Sequence, residues 1–314
     1  MVFLLVFKKG RLKKMKKITA LLLALTMLLA LGACGGTKPA ETETPTADQS
    51  AAPEGESSVV GGTIKEGVLR VGMECAYAPY NWSQADDSNG AVPISGSNEY
   101  AYGYDVMMAK LICEKLGLQL EIVRSDWDGL VMGVQSGTID CAIAGQSITA
   151  DRAKMVDFTE PYYYATIVTL VKAGNKYENA KSVADLKGAS CTSQMNTIWY
   201  DICLPQIPEA TIQSAKENAP TMLVALASGT CDIVVTDQPT GKAALVAYPD
   251  FRLLDFTGTE GEFAVSDEEV NIGISVKKGN TELKDAINSV LKNYTAEDYT
   301  KMMDDAIAVQ PLSK

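Results

Sequence analysis

The sequence predicts an α/β protein made of two similar lobes, and three observations carry that expectation. Its 314 residues are 46% hydrophobic and 21% charged, enough for one large domain or two moderate ones, each burying its own core. From Gly67 onward, β-branched or apolar runs alternate with stretches of helical spacing, the signature of parallel strand-helix-strand units. One phrase also occurs twice, SGTID at 136–140 and SGTCD at 228–232, each time as a helix stop followed by a strand.

In chain order, strands are expected at 68–73 (VLRVGM), 118–124 (LQLEIVR), 138–144 (TIDCAIA), 189–193 (ASCTS) and 231–236 (CDIVVT). A helix over 104–116 sets Val106, Ala109, Ile112 and Leu116 at near-helical spacing and stops at Gly117, a favourable residue just past a helix end. Ser182-Val183-Ala184-Asp185 reads as a capping-box start of a helix ending at Gly188, and Pro220 suits the first turn of a helix through Ala227. Segment 83–103 breaks the rhythm. Its Asn89-Gly90 pair is a strong two-residue hairpin signal, so a surface β-hairpin or loop insertion is expected there. The DDSNG run is not a calcium loop, because alignment on Gly90 puts Ala85 and Gly96 at the first and twelfth positions, which need acids.

The amino-terminal part reads as targeting. From Met15, the expected start, MKKITALLLALTMLLALGAC combines a basic segment, an apolar stretch from Ile18 to Leu31 and small residues before Cys34, making residues 1–33 a secretory signal. Leu31-Gly32-Ala33-Cys34 resembles the lipobox of bacterial lipoproteins, which implies cleavage before Cys34 and a diacylglycerol on its sulfur. Residues 34–62, rich in Gly, Pro, Ala, Ser, Thr and Glu, then form a flexible tether with a reach on the order of 30 Å. The expected location is outside the cytoplasm, lipid-anchored to the cell membrane.

Composition removes several kinds of chemistry. The absence of histidine rules out Ser/His/Asp and Cys/His nucleophilic catalysis and the usual histidine-containing metal sites. Seven of the 28 basic residues lie in residues 1–33, so the remainder holds 21 basic against 39 acidic side chains, a poor surface for nucleic acid. The six cysteines after Cys34 form no CxxC pair, and small buried hydrophobes are the favoured reading, with a Cys191–Cys203 disulfide left open.

Open parallel sheets bind ligands at the carboxyl ends of their strands. There the sequence places Glu74 and Tyr77, then Asp126 and Trp127, then Gly145, Gln146 and Ser147, then Gln194, Asn196 and Thr197, and finally Asp237. Arg152 is an electrostatic oddity. Thr149 reads as the N-cap of a helix over ADRAKMV, so a cation would sit at the third helical position, against the helix dipole. An anion bound bidentately by the guanidinium would account for it; so would a surface pair with Asp151 or Asp157, and the sequence leaves both open.

GYDVMMAKLICEKLGL, then WDGLVMGVQSGTIDCAIAGQSITADRAKMVDFTEPYY, then VVTDQP resemble, in this order, the solute-binding proteins of bacterial polar amino-acid ABC transporters, over about residues 64–300. The resemblance implies a two-lobed periplasmic-binding-protein type II (Venus-flytrap) fold, in which two hinge strands join lobes that close on one free amino acid. It places the hinges near 162–166 and 267–272, lobe 1 at 63–165 plus 268–314, and lobe 2 at 166–267. Residue by residue, it implies that Arg152 clamps the ligand α-carboxylate, helped by Ser147 and the backbone amide of Thr197. Asp237 receives the α-ammonium with the Gly145 carbonyl, Tyr77 and Trp127 sandwich the side chain, and Glu74 reads its tip. Gln194 opens a stretch, Gln194-Met195-Asn196-Thr197, that departs from the usual Gln-x-Gly-Thr, so the backbone approach to the carboxylate is expected to differ.

Desolvating a zwitterion requires a charge-assisted partner at each end, and Arg152 and Asp237 supply them. An acid with aromatic walls favours a cationic side chain such as arginine, lysine or histidine, while an amide remains compatible. The expected protein is a non-enzymatic monomer without cofactor or metal. Its expected partners are a free amino acid, an ABC permease and, through its lipid, the membrane. A sensor subunit presenting the same ligand would use the same pocket. A dehydratase-like enzyme on this fold would need proton transfer, for which Glu74 is the one obvious acid and no partner base is apparent.

Overall fold

The computed structural model describes residues 61–311. The expected signal segment, Cys34 and nearly all of the tether lie outside the described residues. Two five-stranded sheets form the frame. In the first, the order is Gln119–Arg124, Val68–Met73, Cys141–Ala142, Asn271–Lys277, Val156–Tyr164, with Asn271–Lys277 running against the other four. In the second, the order is Thr211–Ile212, Ser190–Thr192, Ile233–Asp237, Ile167–Lys172, Phe251–Asp255, with Ile167–Lys172 likewise reversed. The chain passes between the sheets at 165–166, after Val156–Tyr164, and returns between Phe251–Asp255 and Asn271–Lys277. Among the described residues, no helix is long and apolar enough to cross a membrane.

The central strands are apolar because helices and loops cover both faces of each sheet: Val68–Met73 has one residue short of full burial, and Ile233–Asp237 none. Helix Tyr104–Leu116 has the expected bounds and ends on Gly117 in the left-handed conformation, its N–H bonded to the Cys113 carbonyl. Helix Ala219–Ala227 begins with a capping box between Asn218 and Thr221, with Pro220 in the first turn. The repeated phrase does the same work twice. Gly137 and Gly229 both take positive φ, and the following threonines donate N–H to Gly133 and Ala225 at 2.9 and 3.0 Å, closing each helix. The aspartate that follows then ties its helix to a neighbouring strand: Asp140 Oδ2 accepts the Arg70 N–H at 2.8 Å, and Asp232 Oδ2 accepts the Ser190 N–H at 3.0 Å.

Several expectations are corrected. The strand expected at 138–144 is only Cys141–Ala142, since 138–140 serve the helix end and the aspartate tie. The helix expected after Ser182 is a single 3-10 turn, Val183–Leu186, although the Ser182 side chain does accept the Asp185 N–H. Asn89 and Gly90 have positive φ as expected, yet they do not link paired strands. Asn81–Gln84 and Val92–Pro93 lie on opposite sides of Tyr100–Tyr102, in a small antiparallel sheet completed by Ala76–Tyr77. Of the stretch 267–272 expected to cross as a strand, Asp267–Val270 is a short helix and the strand starts at Asn271. Cys191 and Cys203 are free and buried, as are the other four cysteines after residue 61.

Gly103 links the small sheet to helix Tyr104–Leu116 with φ of 124°, and a Cβ there would lie 2.4 Å from the Tyr80 carbonyl oxygen. Both the conformation and the backbone contact exclude a side chain. Gly103→Ala is expected to destabilise the fold by about 2 kcal/mol or more, lowering the melting temperature by roughly 4–8 °C. A melting curve unchanged from the parent protein would contradict this.

Candidate functional site

The site is assembled where the carboxyl ends of the parallel strands of both sheets meet. Strand Val68–Met73 stops at Cys75, which takes φ of 56° and turns the chain. Three polar side chains hold that turn. The Cys75 N–H donates to Asn81 Oδ1 at 2.7 Å, Asn81 Nδ2 donates to Asp105 Oδ2 at 2.7 Å, and the Tyr162 hydroxyl donates to Asp105 Oδ1 at 2.6 Å. Tyr162 in turn accepts the Gly145 N–H at 3.0 Å. Asp105 therefore links the turn at Cys75 with the turn at Gly145 from the first turn of its helix. Its complete burial pushes its pKa up to about 7, against the lowering effect of the bonds from Tyr162 and Asn81.

Glu74, on the turn so fixed, is buried, and its Oε2 has no hydrogen-bond partner among the described residues. Burial pushes its carboxyl up to about 7, while the Gln194 amide across the junction acts in the opposite direction. Gln194 Nε2 is itself buried without a partner, as is the Tyr80 hydroxyl, so the polar groups around Glu74 are not saturated by the protein.

Asp237 ends strand Ile233–Asp237 and caps helix Gln238–Ala247, Oδ1 accepting the Thr240 N–H at 2.8 Å. Its Oδ2 accepts the Tyr77 hydroxyl from the first lobe at 2.5 Å and the Thr240 hydroxyl at 3.1 Å. Burial raises its pKa, and these bonds oppose the rise. Tyr77 stacks on Tyr80 with ring centroids 4.7 Å apart. Gly145, with φ of 63°, lets that ring approach, since a Cβ would lie 2.7 Å from Tyr77 Cε1.

Arg152 is the only cation in this group. Thr149 caps its short helix as expected, accepting the Arg152 N–H at 3.3 Å. Neither acid suggested as a surface partner engages it: Asp151 pairs with Lys154 at 2.6 Å and Asp157 with Lys278 at 3.6 Å. Instead the guanidinium reaches into the junction, donating through Nη1 to the Ser147 carbonyl at 2.9 Å and through Nη2 to the Asn196 carbonyl of the other lobe at 2.8 Å. It lies 5.0 Å over the Trp127 ring. The residue is half-buried overall, but desolvation of its charged end lowers its pKa to about 10. A cavity of about 510 Å³ opens beside it, lined by Trp127, Met132, Met155, Asn196 and Ile198, and does not extend to Glu74, Tyr77 or Asp237.

All nine candidate residues thus gather at one junction. Trp127 carries the Arg152 guanidinium, and the second-lobe ring near Tyr77 is Trp199, at 6.4 Å. The Thr197 hydroxyl donates to the Gln194 carbonyl at 2.7 Å and so holds the shape of its own turn. Sequence reasoning missed Asn81, Asp105, Tyr162 and Trp199. An aspartate in the first turn of a helix looks like a favourable dipole partner, and nothing local marks it as buried.

Comparisons with known proteins agree with this geometry. The family model of bacterial extracellular solute-binding proteins, family 3, matches residues 69–306. The L-cystine-binding protein TcyJ of Escherichia coli (strain K12) is 30% identical over 229 residues, covering 73% of this chain and 78% of its own length. A probable histidine-binding protein of Campylobacter jejuni is 30% identical over 237 residues, covering 75% and 79%. A solved structure of an amino acid ABC transporter substrate-binding protein, AbpA from Streptococcus pneumoniae bound to L-arginine, superimposes with a TM-score of 0.64 at 26% identity, covering 77% of this chain and 95% of its own. The sheets and their connections are those of the type II periplasmic-binding fold. With most of its folded part matched, the chain belongs to the bacterial extracellular solute-binding proteins, family 3.

Proposed function

We propose that this protein captures a free amino acid with a cationic side chain between its two lobes and delivers it to an ABC permease, tethered outside the cell by lipid on Cys34. One observation carries the ligand class. Glu74, Asp105 and Asp237 are buried carboxyls, and none forms an ion pair among the described residues. Buried acids without a countercharge are costly, which is why all three resist ionisation. A ligand bringing an α-ammonium to Asp237 and a second cation to Glu74 supplies that countercharge, while Arg152 meets its carboxylate. The binding of arginine and histidine by relatives so named supports the cationic class, and the cystine-binding relatives mark the polar alternative. The anchor rests on the sequence Leu31-Gly32-Ala33-Cys34 and the tether after it.

The direct test is thermal shift against all free amino acids after unfolding and refolding to strip carried-over ligand. A true ligand at a hundredfold excess over its Kd adds about 2.7 kcal/mol of stability. Selective stabilisation by arginine, lysine or histidine is expected, and silence across the panel would overturn the reading. Arg152→Lys is expected to weaken every ligand alike, on the order of 100-fold by calorimetry, because an ammonium cannot reproduce the guanidinium fork. A loss confined to one amino acid would refute its role at the carboxylate.

The raised pKa of Glu74 gives a pH signature. In the free protein the carboxyl is protonated below about pH 7, whereas a bound cation holds it ionised. Binding then releases a proton, so affinity for a cationic ligand is full above about pH 7 and falls by up to about tenfold per pH unit below it. Glu74→Gln is expected to flatten this profile and shift selectivity away from cations. An unchanged profile in titrations of the variant would exclude Glu74 from the side-chain site.

A further inference from the structure

We infer that Asn196 is a closure latch: its side chain bridges the two lobes to Asp128 and slows the release of bound ligand. Asn196 follows strand Ser190–Thr192 of the second sheet, and Asp128 lies in the turn Trp127–Gly129 beyond strand Gln119–Arg124 of the first. Asn196 Nδ2 donates to Asp128 Oδ1 at 2.5 Å, beside the bond from Arg152 Nη2 to the Asn196 carbonyl at 2.8 Å. One residue of lobe 2 therefore grips two residues of lobe 1.

The two grips are chemically separable. The bond to Arg152 uses the backbone and survives any substitution that keeps the turn, whereas the bond to Asp128 needs the side-chain amide. With φ of 56°, position 196 suits glycine or asparagine, so the backbone alone does not choose between them. The contact with Asp128 favours the amide. Both side chains are exposed, so the bond desolvates little and is made only when the lobes stand together. Stabilising the closed arrangement without touching ligand lowers the opening rate and hence dissociation. This consequence rests on the reading above, that an amino acid is held between the lobes.

Asn196→Gly keeps the carbonyl and the positive φ while removing the amide, and Asp128→Ala removes the acceptor. Stopped-flow chase of L-arginine, L-lysine, L-histidine or L-cystine, whichever the parent binds, is expected to show dissociation about three- to fivefold faster in each variant, a modest factor because the bond is exposed. The double variant is expected to be no faster than either single one, as for two partners in one interaction. Unchanged rates, or rates that multiply in the double variant, would overturn the latch. A parent that binds none of the four would sink the amino-acid reading instead. The latch is then read without ligand by small-angle scattering, where both variants are expected to shift toward the open distance distribution, and an unshifted distribution overturns it.

Discussion

The hydrogen bond from Tyr77 to Asp237 is the constraint on which the site depends. It joins the turn after the first strand of one lobe to the last residue of the central strand of the other, in a place closed to water. A carboxylate there would be intolerable alone. It is tolerated because Asp237 also caps a helix, so its charge meets the Thr240 N–H and the positive end of the helix dipole. Tyr77 in turn is held by Tyr80 on one face and by the absence of a side chain at Gly145. Each of these positions is fixed by a local demand, a cap, a stack or a turn, and together they hold a buried acid at the meeting of the two lobes.

Asp105 plays a complementary part within the first lobe. Its bonds with Asn81 and Tyr162 reach the turn carrying Glu74 and the turn carrying Gly145, so two loops that would otherwise move separately share one buried acid. Its elevated pKa and that of Glu74 arise from the same cause, burial of carboxyls without cations, but their surroundings differ. Asp105 has protein donors on both oxygens, while Glu74 keeps one oxygen unpaired. The first is a structural acid with its needs met internally, and the second keeps one buried oxygen without a partner among the described residues.

What could be read from the sequence follows from how local the cause was. Helix Tyr104–Leu116, Pro220 in the first turn of its helix, the left-handed stop at Gly117 and the N-cap at Thr149 are decided by a few neighbouring residues and emerge as expected. The repeated SGT-x-Asp phrase was legible as a helix stop before a strand, and its aspartate proves to be the tie between helix and neighbouring strand in both lobes. The misreadings share a non-local cause. Asn89-Gly90 adopts the conformation its residues prefer, but strand pairing was decided by Tyr100–Tyr102, which both flanking strands join. Trp199, which the sequence did not single out, comes near Tyr77 because the approach of one lobe to the other sets that distance.

Arg152 shows how one side chain ties the two lobes together. A guanidinium has five donors in a plane, and here two nitrogens are committed to backbone carbonyls, one in each lobe. The indole of Trp127 covers one face, which fixes the plane of the guanidinium. A lysine could offer charge but not this division of donors between the two lobes. Because the carbonyl on the far lobe belongs to Asn196, the turn that completes the arginine's cradle is the same turn that reaches Asp128. The two inter-lobe bonds thereby sit on one residue, so parting the lobes at this turn breaks both together.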